Sequence, residues 1–308
     1  MSKQRKAELM LLLTTVIWGA TFSITKYIVD AGVDPMAQVA WRFVIATVLF
    51  LLLFGRRVTL RPTRATTTHG VILGALLFVG FSLQAVGLRL TSSSRSGFIT
   101  VLYVVFTPLL AIIITRRAPS RNVIIAIVLV LLGLWGLTAP GGRVEGLVEP
   151  WLEGGFNVGD LLTLVSAIIW AIYITLLDRF TSSGDVTTLT AIQLIVVATA
   201  AAIYIGAASS LGAPLGSLTI PMNVIAWSGM FYLAFFSTVL STYWQTLYQR
   251  ETSPSRAAVI FTLEAVFAAM IAAIFLNETL TPLALFGGAL IIAGLLVVEF
   301  RGNAQMNQ

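Results

Sequence analysis

Two stretches decide how this chain is read: QAVGLRLTSSSRSGFITVLYVVF at residues 84–106 and QTLYQRETSPSRAAVIFTLEAVF at residues 245–267. A shift of 161 lays Gln84, Arg89, Thr91, Ser92, Ser94 and Arg95 on Gln245, Arg250, Thr252, Ser253, Ser255 and Arg256. The same register puts Val105 and Phe106 on Val266 and Phe267, and Gly133 on Gly294. Nearer the start of each half the shift is 152, where Thr14 and Trp18 fall on Ser166 and Trp170. The nine-residue difference is what loops of unequal length produce. Self-similarity at a fixed distance marks a duplicated architecture.

The residues between these landmarks say where the duplicated unit lives. Of 308 residues, 57% are hydrophobic and 10% charged, against roughly 45–50% and about 25% in soluble domains. The apolar residues fall in blocks of about 20, long enough to cross about 30 Å of hydrocarbon as helix. The spans read as roughly 8–29, 35–55, 69–89, 95–115, 122–139, 157–177, 186–207, 223–246, 256–276 and 281–300. Turn chemistry separates them at Ala31–Pro35, Arg61-Pro62, Ala118-Pro119 and Thr281-Pro282. The long Pro140–Phe156 stretch, with Glu145, Glu149 and Glu153, joins the fifth span to the sixth. The first block carries Trp18 and Lys26 and lacks a small-residue cleavage site, so it reads as a retained span.

Basic residues in alternate loops set the orientation. Fourteen Lys and Arg fall in one set of loops and termini, four in the other, and Arg42 lies inside a span. Both termini are therefore expected in the cytoplasm, which requires an even number of spans. Five spans per half is odd, so the second half enters the membrane in the opposite sense. The expected fold is an all-α membrane protein of ten transmembrane helices in two inverted five-helix repeats around a central cavity. The expected units are 1–139, a connecting loop 140–156, and 157–308. Inverted repeats are a device of transporters, whose sites lie near the midplane.

A net charge of +6 is absorbed by this loop pattern, so no nucleic-acid partner is expected. The chain has no cysteine and one histidine, His69, read as an interfacial loop residue, so no metal site is expected. No glycine-rich phosphate loop or Ser–His–Asp combination is present. The chain reads as a non-enzyme that needs no cofactor.

Polar side chains inside hydrocarbon are costly, so a polar stripe on one helical face points to an interior cavity. Such stripes read Thr14, Trp18, Thr21, Thr25 in span 1 and Ser96, Thr100, Tyr103, Thr107 in span 4. Span 6 offers Ser166, Trp170, Tyr173, and span 8 offers Thr238, Ser241, Gln245, Tyr248. Single Ser and Thr residues also serve as glue between helices, whereas the aromatic and amide members fit a lining. Glu264, the one acid placed well inside a span, is the repeat partner of Tyr103. Burial penalises its charged form, which suits substrate or proton handling, the bland alternative being a structural acid paired with Arg42. Arg42 reads as a packing or interfacial residue with room to snorkel. Arg89, Arg95, Arg250 and Arg256 read as anchors of the 3–4 and 8–9 turns. Pro108 is expected to kink span 4, where span 9 has Ala269. The candidate set is Trp18, Thr21, Phe78, Gln84, Thr100, Tyr103, Trp170, Tyr173, Gln245, Phe261 and Glu264, with walls from spans 1, 3, 4, 6, 8 and 9.

Several runs carry a wider likeness. Trp18-Gly19-Ala20-Thr21-Phe22, Trp41-Arg42-Phe43, Phe98–Leu109, Leu263-Glu264-Ala265-Val266-Phe267 and Leu276-Asn277-Glu278-Thr279-Leu280-Thr281 together resemble the EamA-type drug/metabolite transporter family. The resemblance covers nearly the whole chain. It implies alternating access, a bacterial inner-membrane location and a small-molecule substrate. Many members export amino acids or related metabolites, and the architecture looks most like that of the family's aromatic amino acid exporters. The alternatives are a carrier of drugs, quaternary amines, or nucleotide or sugar derivatives, and a membrane receptor or scaffold. The implied partners are the lipid bilayer and a proton or substrate gradient, with the chain a monomer or weak homodimer. Members often have proline after the span 9 glutamate; Ala265 here makes a straighter span 9 the expectation.

The orientation is directly testable. A fluorescent protein fused after residue 308 should glow, and alkaline phosphatase inserted within 140–156 should be active. The reverse pattern would invert the topology.

Overall fold

The computed structural model describes residues 3–91, 93–115, 119–138, 157–181, 185–212, 215–275 and 281–302. The connection 140–156, with Arg143 and its three glutamates, lies outside them, as do Arg116, Arg117 and Leu276–Leu280. The described elements are helical throughout. The first span is α1 (Lys3–Gly19) followed by α2 (Thr21–Asp30), and the next two are α3 (Pro35–Phe54) and α4 (Arg64–Leu90). The fourth is α5 (Ser93–Val101) with α6 (Tyr103–Thr115), and the fifth is α7 (Arg121–Thr138). The second half runs α8 (Val158–Thr181), α9 (Val186–Ser210), then α10 (Val224–Ala234), a π-helical segment (Phe235–Leu240) and α11 (Ser241–Tyr248) as one span. It closes with α12 (Pro254–Phe261) and α13 (Leu263–Phe275) as the ninth span and α14 (Pro282–Gly302) as the tenth. Among the described residues, eight helical runs are long and apolar enough to span a bilayer, and two shorter ones, Arg121–Gly136 and Pro282–Val297, complete the ten.

Helix starts carry the chemistry their orphan N–H groups require. Asp34 accepts from the amides of Met36 and Ala37 with Pro35 in the first turn of α3. Thr63 caps α4, Asp185 caps α9, Asn223 caps α10, and Ser253 caps α12 ahead of Pro254. Burial is inverted relative to a water-soluble bundle. Leu52 and Ile113 are 77% and 74% exposed, while Thr163, Ser166, Thr190 and Thr238 are fully buried. Large apolar side chains cover the outer surface, while hydroxyls are buried between helices together with an apolar core that includes Phe43, Phe50 and Leu73.

The packing pairs up as inverted repeats demand. Spans 5 and 10, α7 and α14, pack along each other, as do spans 2 and 7, α3 and α9. Span 6 lies on spans 3 and 4, and span 1 correspondingly lies on spans 8 and 9. Glycines set the closest approaches. A Cβ at Gly133 would stand 2.6 Å from the Gly287 carbonyl oxygen, and one at Gly87 would stand 2.7 Å from Thr163 Oγ1.

Span 4 is interrupted at Leu102, and α6 runs on through Pro108. One expectation about shape is corrected: span 9 is not straight, because it breaks at Thr262 without a proline. At both places the helix tightens to i→i−3 bonds, Leu102 N to Ile99 O and Val105 N to Leu102 O, then Thr262 N to Val259 O and Ala265 N to Thr262 O. The break therefore belongs to the repeat and not to the proline. His69, expected in a loop, lies within α4 and stacks on Phe180 at 3.9 Å. Arg256 reaches Glu8 on α1 at 3.2 Å, and Arg250 pairs with Glu251. The side chain of Arg95 lies outside the described residues.

Because the Gly133 contact is backbone against backbone, Gly133→Val should cost about 1–3 kcal/mol of overpacking. Detergent-solubilised variant should melt several degrees below wild type; an unchanged melting temperature would mean α7 and α14 separate freely.

Candidate functional site

The two halves enclose a cavity of about 810 Å³, open space at its mouth included. Nine of the eleven expected residues line it: Trp18, Thr21, Gln84, Thr100, Tyr103, Trp170, Gln245, Phe261 and Glu264. They come from spans 1, 3, 4, 6, 8 and 9, as expected.

The other two do not. Tyr173 is fully buried and donates its hydroxyl to Gln193 Oε1 on α9 at 2.9 Å; it ties α8 to α9. The stripe reading placed it on the cavity face because it follows Trp170 by one turn, but the Gln193 acceptor turns it to the neighbouring helix. Phe78 sits beside the lining ridge of α4, formed by Leu77, Phe81, Gln84 and Leu88, and packs against the apolar core.

Several serines and threonines of the stripes serve as glue. Ser166 donates to the Gly80 carbonyl across to α4 at 3.0 Å. Thr14 and Thr107 turn back on Met10 and Tyr103 carbonyls within their own spans. Thr21 likewise bonds to the Trp18 carbonyl across the interruption at Ala20.

Span 2 is the wall the sequence reading missed. Gln38 and Arg42, one turn apart on α3, both line the cavity, and Arg42 is 4% exposed. It does not snorkel. Its Nε donates to Thr238 Oγ1 at 2.7 Å and its Nη2 to Ser237 Oγ at 2.9 Å. Its guanidinium lies 4.3 Å from the Phe81 ring centre, a cation–π contact. The anchor exists because span 8 turns π-helical at Phe235–Leu240. There Thr238 Oγ1 bonds back to Leu233 O and Ser241 Oγ to Phe236 O, each five residues away. The same wide turn leaves the Ser237 carbonyl to accept from Trp18 Nε1 at 3.3 Å. The available signal was the i, i+4 spacing of Gln38 and Arg42, a polar stripe of two.

Aromatic rings make the remaining walls. Trp18 packs on Phe261 at 5.3 Å, and Phe81 meets Trp170 edge-on at 4.7 Å. Gln84 donates to Thr100 at 3.3 Å and Gln245 to Gln249 at 3.0 Å. Glu264 opens α13 just past the break at Thr262, is 7% exposed, and makes no hydrogen bond or ion pair among the described residues. Three buried polar atoms of the lining, Tyr103 Oη, Trp170 Nε1 and Gln38 Nε2, have no partner. A buried polar group left unpaired costs about 1–3 kcal/mol; Ser82 Oγ, Ser96 Oγ and Thr252 Oγ1, outside the lining, are unpaired as well. No group of ligands able to hold a metal ion occurs among the described residues.

Among the described residues, ten helical spans, inverted packing and a largely aromatic cavity with a few polar groups between the halves define a multi-pass membrane transporter. The EamA-like transporter family matches the chain twice, over residues 5–139 and again over 157–300. The chain belongs to that family, whose members transport rather than catalyse. It is similar to an uncharacterized transporter of Archaeoglobus fulgidus, 30% identical over 302 residues that cover 97% of this chain and 87% of the relative. The uncharacterized transporter YyaM of Bacillus subtilis is 27% identical, over 96% of this chain and 94% of its own. In fold it matches a solved crystal structure with a TM-score of 0.76 at 17% identity, covering 98% of this chain and 99% of that one.

The placement of Tyr173 separates a structural from a binding role. Tyr173→Phe leaves Gln193 Oε1 buried without its donor, at a cost of about 1–3 kcal/mol. It should lower the melting temperature while leaving the substrate KM unchanged. A raised KM at unchanged stability would return Tyr173 to the binding wall.

Proposed function

We propose that the chain is a secondary transporter that exports amino acids or similar small polar metabolites across a bacterial inner membrane by alternating access. Residues 1–139 and 157–308 serve as the two moving halves, joined by 140–156. What carries this reading is the set of unpaired buried atoms, Tyr103 Oη, Trp170 Nε1 and Gln38 Nε2, on walls drawn from both halves. Unlike the unpaired hydroxyls of Ser82, Ser96 and Thr252, these three converge on one cavity, where a polar substrate could pair them. The walls also have large aromatic faces with polar edges, which accept bulky side chains of varied shape, as an exporter of aromatic amino acids needs. The cavity is complete within one chain, so the monomer is the unit of transport whether or not copies associate.

Glu264 is proposed as the coupling group. A carboxyl at that depth, with no hydrogen bond to stabilise its charge, exchanges protons readily against substrate. A second reading, a carrier of quaternary amines, draws on Glu264 beside aromatic walls; the Arg42 charge in the same cavity disfavours it. Multiply charged anions such as nucleotide sugars would meet one base and one acid, a poor match.

Proteoliposomes preloaded with unlabelled amino acids should accumulate labelled ones by counterflow. Glu264→Gln should cut pH-gradient-driven uptake at least tenfold, about 1.4 kcal/mol in barrier height. Unchanged uptake in that variant would make Glu264 a structural acid. No exchange of any amino acid by folded protein would remove the substrate class.

A further inference from the structure

We propose that the cavity selects its substrate by charge separation: it takes a zwitterion, with the carboxylate on Arg42 and the ammonium on Glu264. The inference rests on the transporter reading above and adds to it the chemistry that both ends of the substrate must carry.

The argument starts from two buried charges that share a cavity without meeting. Arg42 is held by two hydroxyls, Thr238 Oγ1 and Ser237 Oγ, and both are neutral. They fix the direction of the guanidinium; the charge that faces it is Glu264, which Arg42 feels across the cavity without forming an ion pair. Two of its five N–H donors are spent this way, and the planar fork suits a carboxylate. Glu264 has no partner among the described residues, and no ion pair joins it to Arg42. Buried charges are ordinarily paired, because each one alone is expensive to keep from water. Here the two act on each other only at a distance, with no direct ion pair, and a ligand bearing both charges would contact both.

The surroundings sort the two ends. Gln38 lies one turn before Arg42 on the same wall, and its Nε2 is an unpaired buried donor. The Arg42 guanidinium and the unpaired Gln38 Nε2 thus offer donors at one corner, which fits a carboxylate, and the guanidinium charge repels an ammonium. Glu264 is the one acid in the lining. The remaining space is bounded by Trp18, Phe261, Phe81 and Trp170, which suits an apolar or aromatic substituent branching from the carbon that carries the two charged groups. Arg42 belongs to the first half and Glu264 to the second. A bound zwitterion therefore bridges the halves, and neither a simple anion nor a simple cation can do so.

Three probes of one shape test this: phenylalanine, phenylalaninamide with only the ammonium, and 3-phenylpropionate with only the carboxylate. Binding is read by the fluorescence of Trp18 and Trp170 in detergent, and transport by counterflow. Phenylalanine should bind at least tenfold more tightly than either analogue. Arg42→Gln should erase the preference for phenylalanine over the amide, and Glu264→Gln should erase its preference over 3-phenylpropionate. Arg42→Lys, which keeps the charge, should keep the ranking and controls for folding. The proposal is overturned if either analogue competes as well as phenylalanine in the wild type, or if both variants weaken all three probes equally. Amino acid exchange without the ranking would sink the charge separation and leave the transporter reading standing. Binding of a betaine but of no amino acid would do the reverse.

Discussion

Hydrocarbon offers no partner to a backbone N–H or C=O, and that single constraint shapes every element of this protein. It forces each crossing to be helical, so any departure from α-helix must be paid for by side chains or by protein surroundings. The departures are few and they gather in one place. The interruption at Ala20 lies between Trp18 and Thr21, that at Leu102 between Thr100 and Tyr103, and that at Thr262 between Phe261 and Glu264. The π-helical turn carries Ser237. All four sit beside residues that line the cavity. The backbone is irregular where it faces the central space and regular where it faces lipid.

The π-helical turn does the most. By widening the helix it frees the Ser237 carbonyl for Trp18 and brings the hydroxyls of Ser237 and Thr238 to Arg42. A basic side chain on one half is thereby held by a span of the other. The tie is made of hydrogen bonds to neutral groups, so it orients the charge without cancelling it. The tightened turns at Leu102 and Thr262 play a matching part for Tyr103 and Glu264, which are repeat partners set just past equivalent breaks. One unit of the duplication kept a phenol there and the other a carboxylate.

Much of the fold was legible because its signals are local. Blocks of about 20 apolar residues, the basic loops and the repeat of Gln84–Phe106 in Gln245–Phe267 are readable one stretch at a time. Most of the cavity was legible for the same reason: Trp18, Thr21, Thr100, Tyr103, Trp170, Gln245 and Glu264 stand on polar stripes or at repeat-equivalent positions. The errors share one cause. Tyr173 belongs to a stripe but is turned aside by Gln193, a partner 20 residues along the chain. Arg42 read as an interfacial residue because its partners, Ser237 and Thr238, are almost 200 residues away.

The sequence by itself determined that this chain crosses the membrane ten times in two related halves, because hydropathy and duplication are properties of the chain read in order. It also determined the kinds of side chain available inside: one acid, one base, amides and aromatic rings. Only the tertiary structure decided which of them meet. Whether a buried Arg or Tyr faces a cavity or a neighbouring helix depends on acceptors brought from distant spans, and on backbone turns too slight to leave a mark in composition. In a medium that solvates nothing polar, those partners, and not the helix face alone, settle where each polar side chain points.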